Sequence, residues 1–223
     1  TTTPAVTTNY MFRGISQTRN RPAAQLTLDV EHSSGFYVGA FVSNANFAGT
    51  NIRQEVDGLF GYRFALGGVK LDLGVTYFGY PGYDRPQGGF EAAWWEGTLR
   101  GSYEIEPFKL LGSVAWSPNF NAESGEAVYV EGGFDIAAPL DITISGRAGY
   151  QWVERNTFSP SRPSRGSFGA PDYGVLSVGL SRELVAGFVG AVTASTTTIS
   201  RQDCFGGQKI CGEALVFTIS RPF

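Results

Sequence analysis

Large apolar residues alternate with small or polar ones along most of this chain. In Val128–Ala138 one row holds Val128, Val130, Phe134 and Ile136, and the other holds Tyr129, Glu131, Gly133 and Asp135. In the following segment Leu140, Ile142, Ile144, Ala148, Tyr150 and Trp152 stand against Asp141, Thr143, Ser145, Arg147 and Gln151. The last segment repeats the pattern. Leu215, Phe217, Ile219 and Phe223 are large, whereas Ala214, Val216, Thr218 and Ser220 are smaller or polar. A period of two gives a strand one greasy face and one polar face. The terminal aromatic Phe223 suits a closing strand that ends at a membrane interface, and Arg221 beside it is long enough to snorkel there.

Twelve segments read this way: Ala5–Ser16, Ala23–His32, Phe36–Asn44, Ile52–Ala65, Val69–Tyr80, Glu91–Glu104, Phe108–Trp116, Ala127–Ala138, Leu140–Val153, Tyr173–Arg182, Phe188–Ile199 and Glu213–Pro222. Each is near the ~9–11 residues that a tilted strand needs to cross a bilayer. The connections alternate between tight turns and long loops, which a barrel crossing a membrane back and forth requires and a soluble sandwich does not. The pattern therefore predicts an all-β, single-domain (1–223) transmembrane antiparallel barrel of about twelve strands, with short periplasmic turns and long extracellular loops. Trp95, Tyr103, Trp116, Tyr150 and Trp152 fall near strand ends, where interfacial aromatics belong.

Composition fits without deciding. Mean hydropathy is −0.08 and charged residues are 17%, below the roughly 25% of soluble proteins. Aromatics reach 14%, and there are 30 glycines. No apolar run approaches the ~18 residues of a membrane helix. A net charge of −3, scattered along the chain, argues against nucleic acid. The opening Thr1-Thr-Thr-Pro4 reads as a mature terminus, so export with a cleaved signal peptide to the bacterial outer membrane is expected.

Projecting the polar rows inward lines the lumen with Arg13, Asp29, Glu31, Arg53, Glu55, Asp57, Arg63, Lys70, Asp72, Glu96, Arg100, Glu131, Asp135 and Arg147. Such a mixed ladder either sets the selectivity of a solute path or pairs across a narrow lumen and holds it shut. Arginines outnumber lysines fourteen to three. This suits planar, bidentate pairing with carboxylates, although a compositional bias of the genome explains it equally well.

Cys204 and Cys211 flank a Gly-Gly in the last long loop and are expected to form a disulfide. Arg155, Arg162 and Arg165 lie in a Pro-, Ser- and Gly-rich stretch without acids. It either constricts the mouth, binds lipopolysaccharide phosphates, or stays mobile. The single histidine, His32, falls in a predicted periplasmic turn beside Ser33 and Ser34. That is the wrong end for the chemistry of barrel hydrolases, so no enzyme, catalytic residue, metal site or cofactor is expected.

The segment Asn9-Tyr-Met-Phe-Arg-Gly-Ile-Ser-Gln-Thr-Arg-Asn-Arg-Pro-Ala23 resembles the opening of the TorF-type porins, a bacterial outer-membrane family of largely unassigned function. Gly35-Phe-Tyr-Val-Gly-Ala-Phe-Val-Ser-Asn44 fits the next block of that pattern. The resemblance implies a porin-like barrel and supplies no substrate. The expected function is a channel for small polar or charged solutes. The alternative is a closed barrel acting as a structural or surface-interaction protein through its loops. The expected partners are outer-membrane lipids, lipopolysaccharide among them, and small solutes. A homo-oligomer or a surface complex is a further partner reading.

Overall fold

Twelve strands hydrogen-bond into one closed antiparallel ring. The computed structural model describes residues 1–223 except Pro86, Gly88 and 157–165. The ring strands are β1 (Thr2–Thr7), β4 (Ala23–Glu31), β5 (Phe36–Asn44), β6 (Gln54–Leu66), β7 (Val69–Gly79), β8 (Trp94–Ile105), β9 (Phe108–Ser117), β10 (Ala127–Ala138), β11 (Ile142–Val153), β12 (Tyr173–Glu183), β13 (Val189–Thr197) and β14 (Ala214–Ser220). The two remaining strands, β2 (Met11–Phe12) and β3 (Ile15–Ser16), form a separate hairpin. Strand β1 closes the ring between β14 and β4, with Ala5 opposite both Ser220 and Gln25. The backbone pairing of Thr2 with Phe223 extends this closure to the end of the chain.

Closure leaves no unpaired strand edge, which is how a sheet satisfies its backbone inside lipid. Val30, Val38, Phe60, Leu73, Leu176 and Phe217 all point outward and are each more than half exposed. A continuous apolar belt of that kind is stable only against an apolar solvent. No helix is long and apolar enough to cross a membrane; the strands make the crossing. Aromatic pairs mark both ends of the belt. Tyr77 packs on Trp95 at 4.7 Å and Tyr150 on Trp152 at 4.6 Å near the long-loop end. Phe36 packs on Tyr62 at 4.8 Å near the turn end.

The tight turns all lie at one end and the long loops at the other. The β6–β7 turn shows the local cause: Leu66 pairs with Val69, and Gly67 and Gly68 between them have φ of 56° and 85°. A two-residue hairpin needs positive φ at both central positions, which glycine adopts without penalty.

The structure differs from the sequence expectation at two elements. The first predicted strand, Ala5–Ser16, is not one strand. Wall strand β1 ends at Thr7, and the chain then turns into the barrel and forms the β2–β3 hairpin. Leu140 and Asp141, assigned above to the two rows of a strand, belong instead to the turn Pro139–Asp141, where both have positive φ. The buried core of the protein is not between sheets. It lies inside the ring at the long-loop end, where loop aromatics fill the mouth.

Candidate functional site

The lumen has a charged lower part at the turn end and an apolar stopper above it. In the lower part, Arg63 on β6 collects three carboxylates. Its guanidinium donates to both oxygens of Asp29 (3.0 and 2.8 Å), to Glu31 at 2.7 Å and to Asp72 at 3.4 Å. It also lies 3.8 Å above the ring of Tyr37, whose hydroxyl donates to Asp72 at 2.8 Å. Register explains the gathering. Arg63 stands directly opposite Asp72, and Asp29 and Glu31 occupy successive inward positions of β4. Arg100, opposite Asp72 on β8, completes this belt. Nearer the turns, Lys70 donates to Glu104 at 2.8 Å, both exposed.

Higher on the far wall, Arg147 donates to Asp135 at 2.6 Å and to the carbonyls of Phe134 and Gly146. Glu131 accepts the Tyr129 hydroxyl at 2.7 Å. A cavity of ≈ 390 Å³ lies between these walls, bounded by Glu131 and Arg147 on one side, Gln25 on another and the hairpin above.

The hairpin is the stopper's first layer. Arg13 and Gly14 form its two-residue tip, with φ of 47° and 77°. The tip crosses the lumen. Arg13 donates to Glu96 on β8 at 2.7 Å and to Gln151 on β11 at 2.9 Å, and its guanidinium lies 4.3 Å from the Tyr129 ring. Its side chain is 10% exposed and that of Glu96 5%, so the pair is buried. At the base, Asn9 accepts from Ser16 and Thr18 and donates to Asn20. Tyr10 donates to Glu55 at 2.5 Å. Burial first, and then the Glu55 carboxylate, hold the Tyr10 hydroxyl well above the ordinary phenol range, so at neutral pH it remains a donor.

The second layer is aromatic. Phe78 and Trp94 stack face to face at 3.9 Å. Phe12 meets their edges, Phe120 packs on Trp94 at 4.5 Å, Phe168 on Phe120 at 5.4 Å, and Phe205 on Phe168 at 5.2 Å. This row of rings runs across the mouth.

The Cys204–Cys211 disulfide is formed, with Cα atoms 5.9 Å apart. Both cysteines are 1% exposed, so the bond is part of the stopper and not of an exposed loop. It sets Phe205 against Phe168, while the Ile210 carbonyl accepts from the Ser16 amide at 2.9 Å and the Lys209 carbonyl from Asn20 at 2.6 Å. Replacing both cysteines by serine is expected to loosen this loop by about 2 kcal/mol and leave the ring intact. Trypsin should then cut after Lys209 faster, while the folded band on an unheated gel stays in place.

The structure thus gathers the candidate residues into distinct groups. Asp29, Glu31, Arg63, Arg100, Glu131, Asp135 and Arg147 lie on inward rows below the hairpin. Arg13 is inside the barrel, but on the inserted hairpin and not on the wall. Glu55, Asp57 and Glu96 point inward yet are buried by the stopper. Arg53 is a correction: it lies ahead of β6 in an exposed loop at the rim and donates to the neighbouring Ile52 carbonyl, because the ring strand starts one residue later. Arg155 donates to Glu154 and to the carbonyls of Gly166 and Glu123, so it ties loops together. Arg162 and Arg165 lie outside the described residues. The His32 ring bonds within its own turn, with Nδ1 2.8 Å from the Ser34 hydroxyl. Among the described residues no group of three His, Cys, Asp or Glu side chains could hold a metal.

No curated protein sequence matches the chain. Solved structures do. A NanC porin aligns with a TM-score of 0.64 at 7% identity, over 99% of this chain and 98% of that one. A KdgM porin, solved in complex with disordered oligogalacturonate, aligns with a TM-score of 0.63 at 11% identity, over 100% of this chain and 98% of that one. At such identities the likeness shows the fold, that of outer-membrane porins. A family model matches residues 1–223, and the chain belongs to that family, described as a bacterial protein of unknown function (Gcw_chp).

Proposed function

We propose that this protein is an outer-membrane, porin-like channel for small polar or charged solutes whose first loop holds it closed in the conformation described. The turns face the periplasm and the long loops face outward. The observation that carries the reading is the cavity directly beneath the hairpin, lined by Arg13, Glu131 and Arg147 among Thr, Ser, Asn and Gln side chains, with the hairpin spanning the lumen through one arginine. A purely structural barrel has no need of an open cavity with polar and charged walls below its stopper. The resemblance of Asn9–Asn44 to TorF-type porins supports the same reading at the finer level of family.

Below the hairpin, Asp29, Glu31, Asp72, Glu104, Glu131 and Asp135 face Arg63, Lys70, Arg100, Lys109 and Arg147. Six acids against five bases make a weakly cation-preferring path, since fixed charge of one sign concentrates the other. Glu131 is the most telling position. Its observed donor is the Tyr129 hydroxyl, which a glutamine oxygen can also accept from. In planar bilayers under a salt gradient, Glu131→Gln is expected to shift the reversal potential toward zero without loss of folded protein. A barrel that stays electrically silent, both as wild type and with the hairpin contact removed, would overturn the channel.

A second reading is favoured by the aromatic stopper: a closed barrel that works through its outer loops. In that case lipopolysaccharide phosphates, drawn by the arginines of the fifth loop, or a further copy of the chain would be its partners. Silence in bilayers is the outcome that selects it.

A further inference from the structure

The mouth of the barrel holds a second cavity, of about 200 Å³, above the hairpin. Each of the six long loops gives it one phenylalanine: Phe12, Phe47, Phe90, Phe120, Phe168 and Phe205. Phe78 and Trp94 add the wall. Six loops of unrelated length and sequence converge on one ring type around one space. Filling the barrel would not need that, because any apolar residues would do. The exposed Arg19 and Ala48 also line the cavity, so it opens at the loop surface.

One carboxylate enters this aromatic space. Glu55, at an inward position on the first turn-distal part of β6, lines the cavity and is 2% exposed. It accepts from Tyr10 at 2.5 Å and also from the buried Tyr80, which lines the same cavity. A carboxylate has about four acceptor positions, so the two tyrosines leave capacity for another donor. Asp57, the next inward residue, is also buried, and its Oδ1 has no hydrogen-bond partner among the described residues. No arginine or lysine of the described residues forms an ion pair with either acid. Two buried carboxyls without a cation are costly. Aromatic faces carry negative potential and attract cations as well. Arg19 at the lip is exposed and screened by water.

We infer that the mouth cavity is a binding site for a small organic cation with an apolar or aromatic body, seated against the loop phenylalanines with its charge toward Glu55. The site stands whether or not the barrel conducts, because it lies above the hairpin and is assembled by the closed state.

Trp94 reports on the site directly. The chain's other tryptophans, Trp95, Trp116 and Trp152, face outward and are exposed, whereas Trp94 is buried in the cavity wall. The test titrates benzyltrimethylammonium, benzyl alcohol and benzoate into the folded protein in lipid bicelles and follows tryptophan fluorescence. The expected result is saturable quenching by the cation, weaker binding of the alcohol and weakest of benzoate. Trp94→Phe should abolish the saturable component. Glu55→Gln keeps the shape and the acceptor for Tyr10, and is expected to weaken cation binding about tenfold; unheated gel mobility confirms that it is folded. The proposal is overturned if benzyl alcohol or benzoate binds as tightly as the cation, if quenching survives Trp94→Phe, if Glu55→Gln binds unchanged, or if none of the three probes gives a saturable signal.

Discussion

Replacing Arg63 with alanine is expected to cost the barrel about 2–3 kcal/mol and to make its lumen strongly cation-selective. Three carboxylates, Asp29, Glu31 and Asp72, share this one guanidinium. Without it Asp29 and Glu31 on β4 and Asp72 on β7 lose the one cation that contacts all three. Stripping one partner from a buried pair costs about 3–5 kcal/mol, because a charge is left without compensation. The Arg63 side chain is 34% exposed, so water screens part of that loss and the lower figure applies. Lysine should recover only a fraction. An ammonium is a point charge and cannot fork to Asp29 while lying flat on Tyr37. Combining Arg63→Ala with Asp29→Asn and Glu31→Gln should restore much of the stability by removing the stranded charges. Urea unfolding in lipid vesicles gives the stability order. If Arg63→Ala equals the triple variant in stability, the cluster is not an interdependent charge network.

The wall of this barrel was legible in the sequence because the side a strand residue faces depends only on its parity. Glu131 and Asp135 on one row, and Val130 and Phe134 on the other, need no knowledge of distant residues. The short turns announced themselves through local chemistry too, as at Gly67 and Gly68. The stopper was a different matter. Arg13 meets Gln151, 138 residues away, and no local period encodes that contact. The segment Ala5–Ser16 alternates well enough to pass as one strand. Its Arg13-Gly14 pair carried the counter-signal, since a glycine there permits the tight turn that makes a hairpin. The phenylalanines of the loops carried another. At least one in each long loop is more than irregular, solvated connections need, and convergence inward was the physical alternative. Whether Glu55 and Asp57 lay on an open path or under a lid depended on those loops, so their burial could not be read from β6 alone. Arg53 failed for a simpler reason: parity says nothing once the strand has ended.

Arg13 is expected to be the latch of the barrel, and its removal to open it. The Arg13–Glu96 pair is the most buried ion pair among the described residues, and it fastens the hairpin tip to the wall opposite its base. Arg13→Ala leaves Glu96 buried without a partner, at a cost of about 3–5 kcal/mol to the closed state. The ring of strands does not depend on that contact, so the cost falls on the inserted hairpin. Its other holds are two residue pairs between β2 and β3, the Tyr10–Glu55 hydrogen bond, Phe12 on the aromatic row and the Ser16 amide on Ile210, and none of them is an ion pair across the lumen. In single-channel records Arg13→Ala should therefore raise the open fraction at least several-fold over wild type. Glu96→Gln should act more weakly, because an amide oxygen can still accept from the guanidinium. A misfolded barrel could mimic a silent channel but not a conducting one, and Arg13→Met with Glu96→Met separates the remaining cases. Two apolar side chains of similar size leave no stranded charge, so the hairpin should stay packed in the mouth and its fold be preserved. If this double variant stays closed while Arg13→Ala conducts, what opens the barrel is the uncompensated charge at Glu96. If both conduct alike, the directed bonds to Glu96 and Gln151 are the latch. If neither differs from wild type in conductance while both remain folded, the hairpin is a fixed plug and the gate does not exist.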